Sequence, residues 1–262
     1  MFGGHRLLSN LSRRSGRSAR GRTLLALAAD ALQTGIDVAE VTRLRGPDST
    51  SGDVGGGDLV SVCITTFGRP RILIERAIAS ALRQTWSPIE IIVVADGCPD
   101  TEALAPEILA SGRVRFVNLG HRSPYPTDPF PFWQAKGVPP RNVAVALARG
   151  AWLALVDDDD ELTDDHVERL LMHAREHDLD VVYSKAEVVE GHDRGRIVGD
   201  FPLRGRGVTT GSYLYSARFR SFPHDDRCWM RGEASDYDFL RRLARAGCRI
   251  GFLDEVTLRV HH

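Results

Sequence analysis

The sequence predicts a three-layer α/β/α fold with a mostly parallel central sheet. From residue 59 onward, short apolar runs of strand length alternate with stretches of helical periodicity, which favours parallel strands joined by helices. One such run, residues 152–156, is continuously apolar, as expected of a strand buried on both faces. The length of 262 residues, with 42% hydrophobic and 26% charged residues, suits one α/β domain with a sizeable core.

Residues 1–57 are predicted to be a basic, disordered N-terminal extension. Residues 1–22 contain six arginines and no acid. Residues 23–33 suit a short helix capped by Thr23, and residues 46–58, with five glycines, suit a linker. The arginines could hold the chain at an anionic membrane surface, whereas a solvated tail is the simpler alternative.

Residues 58–262 are predicted to form the folded domain. Strands are expected at residues 59–65, 89–94, 114–117, 152–156 and 181–184, and from residue 250. Helices are expected from Pro70 to residue 81 and at residues 102–110, 141–148, 164–177 and 236–246. Residues 118–139 are predicted to be a long loop without secondary structure, and loops of this length usually cover or bind ligands. The glycine-rich residues 191–207 are predicted to be a mobile segment.

Composition narrows the class of protein. A net charge of −1 offers no bulk electrostatic basis for binding nucleic acid. No apolar run approaches the ~18 residues of a membrane-spanning helix, and Asp30 interrupts the short run after the arginines. The four cysteines lack paired spacing, and Cys63 and Cys248 in particular suit small core residues. We therefore expect a cytoplasmic protein, with peripheral membrane contact as an open option.

Four consecutive carboxylates, Asp157 to Asp160, follow the apolar strand of residues 152–156. Adjacent anions repel one another unless they are solvated or face a cation. A hard divalent ion with a bound phosphate is a suitable counter-charge at the carboxyl end of a strand. The alternative is a solvated acidic turn, to which Asp158 and Asp160 would belong because alternate residues point in opposite directions. The buried strand leading into the run favours a metal site.

Four segments, in order along the chain, resemble the family 2 glycosyltransferases, which have the GT-A fold. Residues 61–70, SVCITTFGRP, resemble the opening strand and turn of the family. Residues 89–100 resemble its second strand and acidic turn, with Ala95 where the family usually has an acid. Arg141-Asn142 and the Asp157 run resemble its Arg-Asn helix and Asp-x-Asp strand. Residues 232–247 resemble its acceptor-side acid and helix, so the likeness covers about residues 59–262.

The resemblance implies a site for a nucleotide-sugar, most readily a UDP-sugar. In it, Asp96 would bond the base and Arg141 would lie near the diphosphate. Asp159 would hold a divalent metal, Mn²⁺ or Mg²⁺, and His261 would complete its shell. The donor-binding residues that the resemblance implies are Thr65, Thr66, Arg69, Asp96, Arg141, Asp157 and Asp158.

The resemblance also implies that Asp236 is the catalytic base. A carboxylate at the start of this helix can take the proton of an acceptor hydroxyl in a single, inverting displacement. The alternatives are that Asp236 only stabilises the helix N-terminus, or that Asp238 is the base. The expected activity is metal-dependent glycosyl transfer from a nucleotide-sugar to an unidentified hydroxyl. An inactive nucleotide-sugar-binding module and a metal-dependent phosphatase are the alternative functions.

Overall fold

The computed structural model describes residues 33–44, 57–189, 191–205 and 207–261. The basic arm, the predicted helix of residues 23–33 apart from Gln33, and the glycine-rich linker up to residue 56 lie outside the described residues. Residues 33–44 form a helix within the segment predicted as an extension. No helix in the described ranges is long and apolar enough to span a membrane.

Nine strands form one sheet in the described part of the chain. They are β1 Val60–Thr66, β2 Ile89–Ala95, β3 Val114–Asn118, β4 Trp152–Asp157, β5 Glu161–Leu162, β6 Val181–Val188, β7 Ile197–Val198, β8 Tyr213–Ser216 and β9 Ile250–Val260. The order is β3-β2-β1-β4-β8-β6-β9-β5, with β7 paired to β6. Only β5, β7 and β8 run antiparallel to their neighbours. The remaining strands share one direction, which confirms the mostly parallel sheet.

Both faces of the central strands are buried. Every residue of β1 is buried, with Val62 and Ile64 in one apolar cluster and Cys63 in the other. Because successive side chains of a strand point to opposite faces, apolar layers must cover both sides of the sheet. This arrangement confirms the three-layer prediction. Cys248 is also buried, as expected of a small core residue.

Helices supply the two outer layers. The helix that begins at Pro70 passes through one π-helical turn, Ile74–Ile78, and continues to Leu82. The predicted helix of residues 102–110 is instead two short helices, Pro99–Ala103 and Ala105–Leu109, because Pro106 has no N–H to continue the first. The other α-helices in the described residues from 57 onward are Pro129–Ala135, Val138–Leu147, His166–Glu176 and Ser235–Arg245, and short 3-10 helices lie at Thr210–Ser212, Ala217–Phe219 and Cys228–Arg231.

The prediction of a structureless loop over residues 118–139 is wrong. Its second half contains the helix Pro129–Ala135. Asp128 caps this helix, since its Oδ1 accepts a hydrogen bond from the N–H of Phe130 at 3.0 Å, and Pro129 occupies the first helical position. The Asp-Pro pair was therefore a helix-start signal in the sequence. The glycine-rich residues 191–207 likewise include a short strand, β7, that the sequence reading missed.

The carboxyl ends of three neighbouring strands meet at one edge of the sheet. In the sheet register, Thr65 of β1 is paired with Val94 of β2 and with Asp157 of β4. The backbone N–H of Asp96 donates to the carbonyl of Thr66 at 3.0 Å, which fixes the exit of β2 beside the exit of β1. Polar residues from separate parts of the sequence are thereby placed side by side.

Candidate active site

A cleft of about 330 Å³ opens at this edge of the sheet. Most of the residues predicted to bind the donor and the metal line it, namely Thr65, Thr66, Arg69, Asp96, Asp157, Asp158 and Asp159. The rest of its wall is Phe67, Arg122, Tyr125, Phe132, Lys136, Gly137 and Pro140. The acidic run was predicted from its place at a strand end, and the family resemblance implied the other residues of this set. The residues of the second set were not predicted individually, although residues 118–139, which supply five of them, were expected to cover or bind a ligand.

Asp158 is a buried member of the cleft wall, 2% exposed. Its carboxylate accepts hydrogen bonds from the hydroxyl of Thr66 at 2.6 Å and from Arg69 Nη2 at 2.5 Å. Burial raises the pKa of Asp158 to about 6, and the nearby Asp157 and Asp159 act in the same direction, while Thr66 and Arg69 oppose it. Asp158 therefore orders the β1 turn, and its description as a solvated acid is wrong.

Asp160 is also buried, 5% exposed, so the solvated-turn alternative is wrong for it too. Its Oδ1 accepts a hydrogen bond from the backbone N–H of His261 at 3.0 Å, and burial raises its pKa well above the usual range. The imidazole Nε2 of His261 lies 3.9 Å from Glu161, and His261 is not among the residues that line the cleft. Its role as a metal ligand stays a prediction.

Asp157 and Asp159 are the more accessible carboxylates of the run, with side chains 37% and 19% exposed. Asp159 is ion-paired with Arg69, and Asp157 lies 3.5 Å from Nη2 of Arg141. Within the described residues, no group of three or more His, Cys, Asp or Glu is arranged as a metal shell. Two carboxylates facing one cleft are nevertheless the hard oxygen donors that Mg²⁺ or Mn²⁺ takes together with phosphate oxygens.

Both oxygens of the Asp96 carboxylate bond to the segment of residues 121–125. Oδ1 accepts from the backbone N–H of Ser123 at 2.9 Å and from its hydroxyl at 2.5 Å, while Oδ2 accepts from the hydroxyl of Tyr125 at 2.7 Å. The segment runs so close to Gly97 that a Cβ there would lie 2.2 Å from the carbonyl carbon of His121. Asp96, predicted to contact the base, thus fastens this segment across the end of β2.

The segment brings a cation into the cleft. The guanidinium of Arg122 lies 3.8 Å from the ring centroid of Phe67 and 5.9 Å from the centroids of Tyr125 and Phe132. A guanidinium on an aromatic face keeps its in-plane N–H donors available. Lys136, directly after the helix Pro129–Ala135, adds a second positive charge to the wall. These two cations were not identified from the sequence.

Arg141 lies beneath the cleft, 2% exposed, and does not line it. Its Nη1 donates to the hydroxyl of Ser235 and its Nη2 to that of Thr210, both at 3.1 Å. The same guanidinium is 3.5 Å from Asp157. Arg141 therefore connects the acidic end of β4 with the first turn of the helix Ser235–Arg245.

Asp236 lies in that first turn and is partly buried. Burial raises its pKa to about 6, the nearby Asp157 adds to the effect, and the N–H of Tyr237 and the charge of Arg141 oppose it. The Tyr237 N–H donates to Asp236 Oδ1 at 2.7 Å. A carboxylate whose pKa lies close to neutrality is well suited to accept a proton during catalysis.

Asp238, the alternative base, is fully buried in a set of ion pairs. Arg231 binds it through Nε at 2.8 Å and Nη2 at 2.7 Å, and Nη2 of Arg241 lies at 3.3 Å. A carboxylate occupied in this way has no oxygen free for an acceptor hydroxyl. The geometry therefore favours Asp236 over Asp238.

These features define an α/β domain with a charged ligand cleft at the carboxyl ends of its parallel strands. The chain belongs to glycosyltransferase family 2. The family model described as "Glycosyl transferase family 2" matches residues 61–125 and 140–232, together more than half of the chain.

Two relatives from Bacillus subtilis (strain 168) carry glycosyltransferase names. The uncharacterized glycosyltransferase YwdF is 32% identical over 203 residues, which cover 71% of this chain and 68% of YwdF. The uncharacterized glycosyltransferase EpsJ is 34% identical over 128 residues, covering 47% of this chain. The matched region spans 33% of the length of EpsJ, so this chain corresponds to only part of that protein.

The fold is shared with TarS of S. aureus. The structure of TarS residues 1–349 in complex with UDP-GlcNAc superposes with a TM-score of 0.59 at 19% sequence identity, covering 78% of this chain and 58% of that one. Longer TarS coordinates give a TM-score of 0.61 and cover 78% of this chain and 36% of that chain. This likeness confirms the predicted GT-A fold.

Proposed function

We propose that this chain is an inverting glycosyltransferase that moves a sugar from a nucleotide-sugar to an acceptor hydroxyl. The main support for the proposal is that Arg141 contacts both sides of the site. This buried cation is 3.5 Å from Asp157 on the donor side and bonded to Ser235, the neighbour of Asp236, on the acceptor side. One arginine thus lies beside Asp157 and holds the residue that precedes Asp236.

The proposed donor is a UDP-sugar. Support comes from the TarS structures, which were solved with UDP-GlcNAc and with UDP. We assign the base to the wall formed by Phe67, Arg122 and Tyr125, because aromatic faces and an arginine fork suit a planar ring with carbonyl acceptors. Lys136 and Arg69 lie on the same cleft and are suited to the diphosphate.

The residues of the cleft fit a divalent metal, Mn²⁺ or Mg²⁺. Asp157 and Asp159 would hold it, with His261 as a further proposed ligand. The fit rests on the donor chemistry, since the accessible acids of the run offer only hard oxygen atoms. When bound, the ion would neutralise the negative charge that builds on the departing nucleoside diphosphate.

Asp236 is the proposed general base. Its carboxylate takes the proton of the acceptor hydroxyl as that oxygen forms a bond to the anomeric carbon. The bond from the anomeric carbon to the phosphate oxygen breaks on the opposite face, and the nucleoside diphosphate leaves with the electron pair. Attack from the opposite face inverts the anomeric centre. Arg141 remains in place and limits repulsion between Asp157 and Asp236.

The acceptor is proposed only as a hydroxyl compound, and no nucleic-acid partner is expected at a net charge of −1. A cytoplasmic location, with peripheral membrane contact through residues 1–22, stays a prediction.

A thermal-shift series with UDP, ADP and GDP, each with and without Mn²⁺, tests the donor site. We expect UDP with Mn²⁺ to raise the melting temperature most. Release of UDP from a panel of UDP-sugars then tests turnover. Binding of UDP without turnover of any donor, with or without hydroxyl acceptors, would favour the inactive binding module. Release of inorganic phosphate as the primary product would favour the phosphatase.

A further inference from the structure

The helix formed by residues 33–44 packs on the helix that carries Asp236. Val41 and Leu44 are buried in the same apolar cluster as Phe239 and Leu243 of the helix Ser235–Arg245. Both contacting segments lie outside residues 61–125 and 140–232, which the family model matches. The contact therefore joins two segments that the family model does not match.

A buried ion pair joins the two helices. Arg242 donates to Asp37 through Nε at 2.9 Å and through Nη2 at 2.8 Å, and the two residues are 4% and 1% exposed. The Nη1 of Arg242 donates to the carbonyl of Pro223 at 3.0 Å, and its guanidinium lies 4.6 Å from the ring centroid of Phe222. A planar guanidinium held along its edges and on one face has a single orientation.

The same arginine faces the first turn of the helix. Its Nη1 lies 3.8 Å from Oδ2 of Asp238, two residues after Asp236. If Asp37 lost its charge, Arg242 would remain buried with Asp238 as its nearby carboxylate. Because a buried charge that loses its partner is strongly destabilised, the arginine would shift toward Asp238 or admit water. Either response would change the charges and contacts around Asp238, which lies in the same turn as Asp236.

We propose that Asp37 is a positioning residue for the catalytic carboxylate, acting through the rigid Arg242 fork on the turn that carries Asp236. The proposal rests on the role of Asp236 in the proposed function. Asp37 touches neither donor nor acceptor in this scheme. Its substitution therefore changes the chemical step and leaves donor binding intact.

The test compares Asp37→Asn with Glu40→Gln in the full chain. Glu40 lies on the same helix but pairs with the exposed Arg43 at the surface, so it controls for a charge lost from this helix. We expect Asp37→Asn to lower kcat for UDP release about tenfold to a hundredfold, the scale of a small misplacement of a reacting group, with donor KM unchanged. Glu40→Gln should behave as the wild type. Asp37→Glu, which keeps the charge, should restore part of the kcat.

Two further measurements separate positioning from simple support of the fold. In an Asp236→Asn background, Asp37→Asn should have little additional effect on kcat, since residues that act as a unit are not additive. Hydrogen–deuterium exchange of Asp37→Asn should be faster at residues 235–238 while the central strands stay protected.

A lower melting temperature with unchanged kcat, or unchanged exchange at residues 235–238, overturns the proposal. A wild type that releases UDP from no donor refutes the proposed function, and the exchange measurement still decides the role of Asp37.

Discussion

The hydroxyl of Tyr125 donates a 2.7 Å hydrogen bond to Asp96. The backbone N–H of Gly137 donates to the same hydroxyl oxygen at 3.3 Å. One phenol thus ties the end of β2 to the segment of residues 121–125 and to the start of the helix Val138–Leu147. Because Arg122 lies in that segment, this bond helps to set the shape of the proposed base-binding wall.

Tyr125→Phe should weaken UDP binding. The substitution keeps the ring but removes the hydrogen bond to Asp96, so the 121–125 segment is held less firmly. Loss of a hydrogen bond of this kind corresponds to about a fivefold to tenfold increase in Kd. Isothermal titration calorimetry with UDP measures it. Tyr183→Phe is the matched control, because the Tyr183 hydroxyl donates to the carbonyl of Asp200 and Tyr183 does not line the cleft. Equal Kd values for both variants would contradict the prediction.

Arg122→Met and Lys136→Met should separate base contacts from phosphate contacts. Loss of the arginine should weaken uridine and UDP alike, because Arg122 lies on the aromatic wall assigned to the base. Loss of the lysine should weaken UDP but not uridine, and the remaining UDP affinity should depend less on salt. Titrations at two ionic strengths measure both effects. If Arg122→Met spared uridine, the assignment of the base to this wall would be wrong.

Asp236→Asn should remove the base and leave the donor site intact. We expect kcat to fall about 10²- to 10⁴-fold, the usual contribution of a positioned base, with Kd for UDP within about twofold of the wild type. Initial rates of UDP release and calorimetry give the two values. Asp226→Asn is the control, since the Asp226 side chain is 59% exposed and outside the cleft. Wild-type turnover in Asp236→Asn would refute its role as the base.

The pH dependence of kcat should rise through pH 6. The pKa of Asp236 is raised to about 6 by burial, and a base must be deprotonated to act, so turnover grows as the pH increases past this value and then levels off. Arg141→Met should move the rise to higher pH, because it removes a charge that lowers the Asp236 pKa. Arg71→Met, which removes a surface ion pair with Glu107, should not move it. A flat profile from pH 5 to 8 would argue against the assignment.

Turnover should require a divalent ion held by the accessible acids of the cleft. EDTA should abolish UDP release, and Mn²⁺ or Mg²⁺ should restore it. Asp159→Asn should raise the Mn²⁺ concentration needed for half-maximal rate, because it removes a proposed ligand. Asp164→Asn, at an exposed position with a side chain 62% accessible, should leave that concentration unchanged. Full turnover in EDTA would show that no metal is used.

Local patterns predicted the strands and the place where their ends converge. Apolar runs identified β1, β2 and β4, and the carboxyl-end rule placed the Asp157 run at the ligand-binding edge. The family resemblance added Thr65 and Asp96. Their positions in the structure follow from the parallel register of the three strands. Such features depend on residues close in sequence, so a reading of the chain alone can reach them.

Interactions across long sequence distances were not predictable in this way. Asp158 accepts its hydrogen bonds from Thr66 and Arg69, which lie about 90 residues earlier in the chain. The carboxylate of Asp96 accepts a hydrogen bond from the segment of residues 121–125, which lies more than 20 residues later. Nothing local to Arg122 marks it as a cleft residue. It reaches the cleft because Asp96 holds the neighbouring residues of its segment in place.

The ion pair between Asp37 and Arg242 also bears on where the folded unit starts. The family-matched residues begin at 61, but a partner for a deeply enclosed arginine comes from further upstream. A protein that began at residue 61 would leave Arg242 buried without Asp37 and would expose the apolar surface that Val41 and Leu44 cover. The folded unit of this chain therefore includes the helix of residues 33–44, upstream of the family-matched residues.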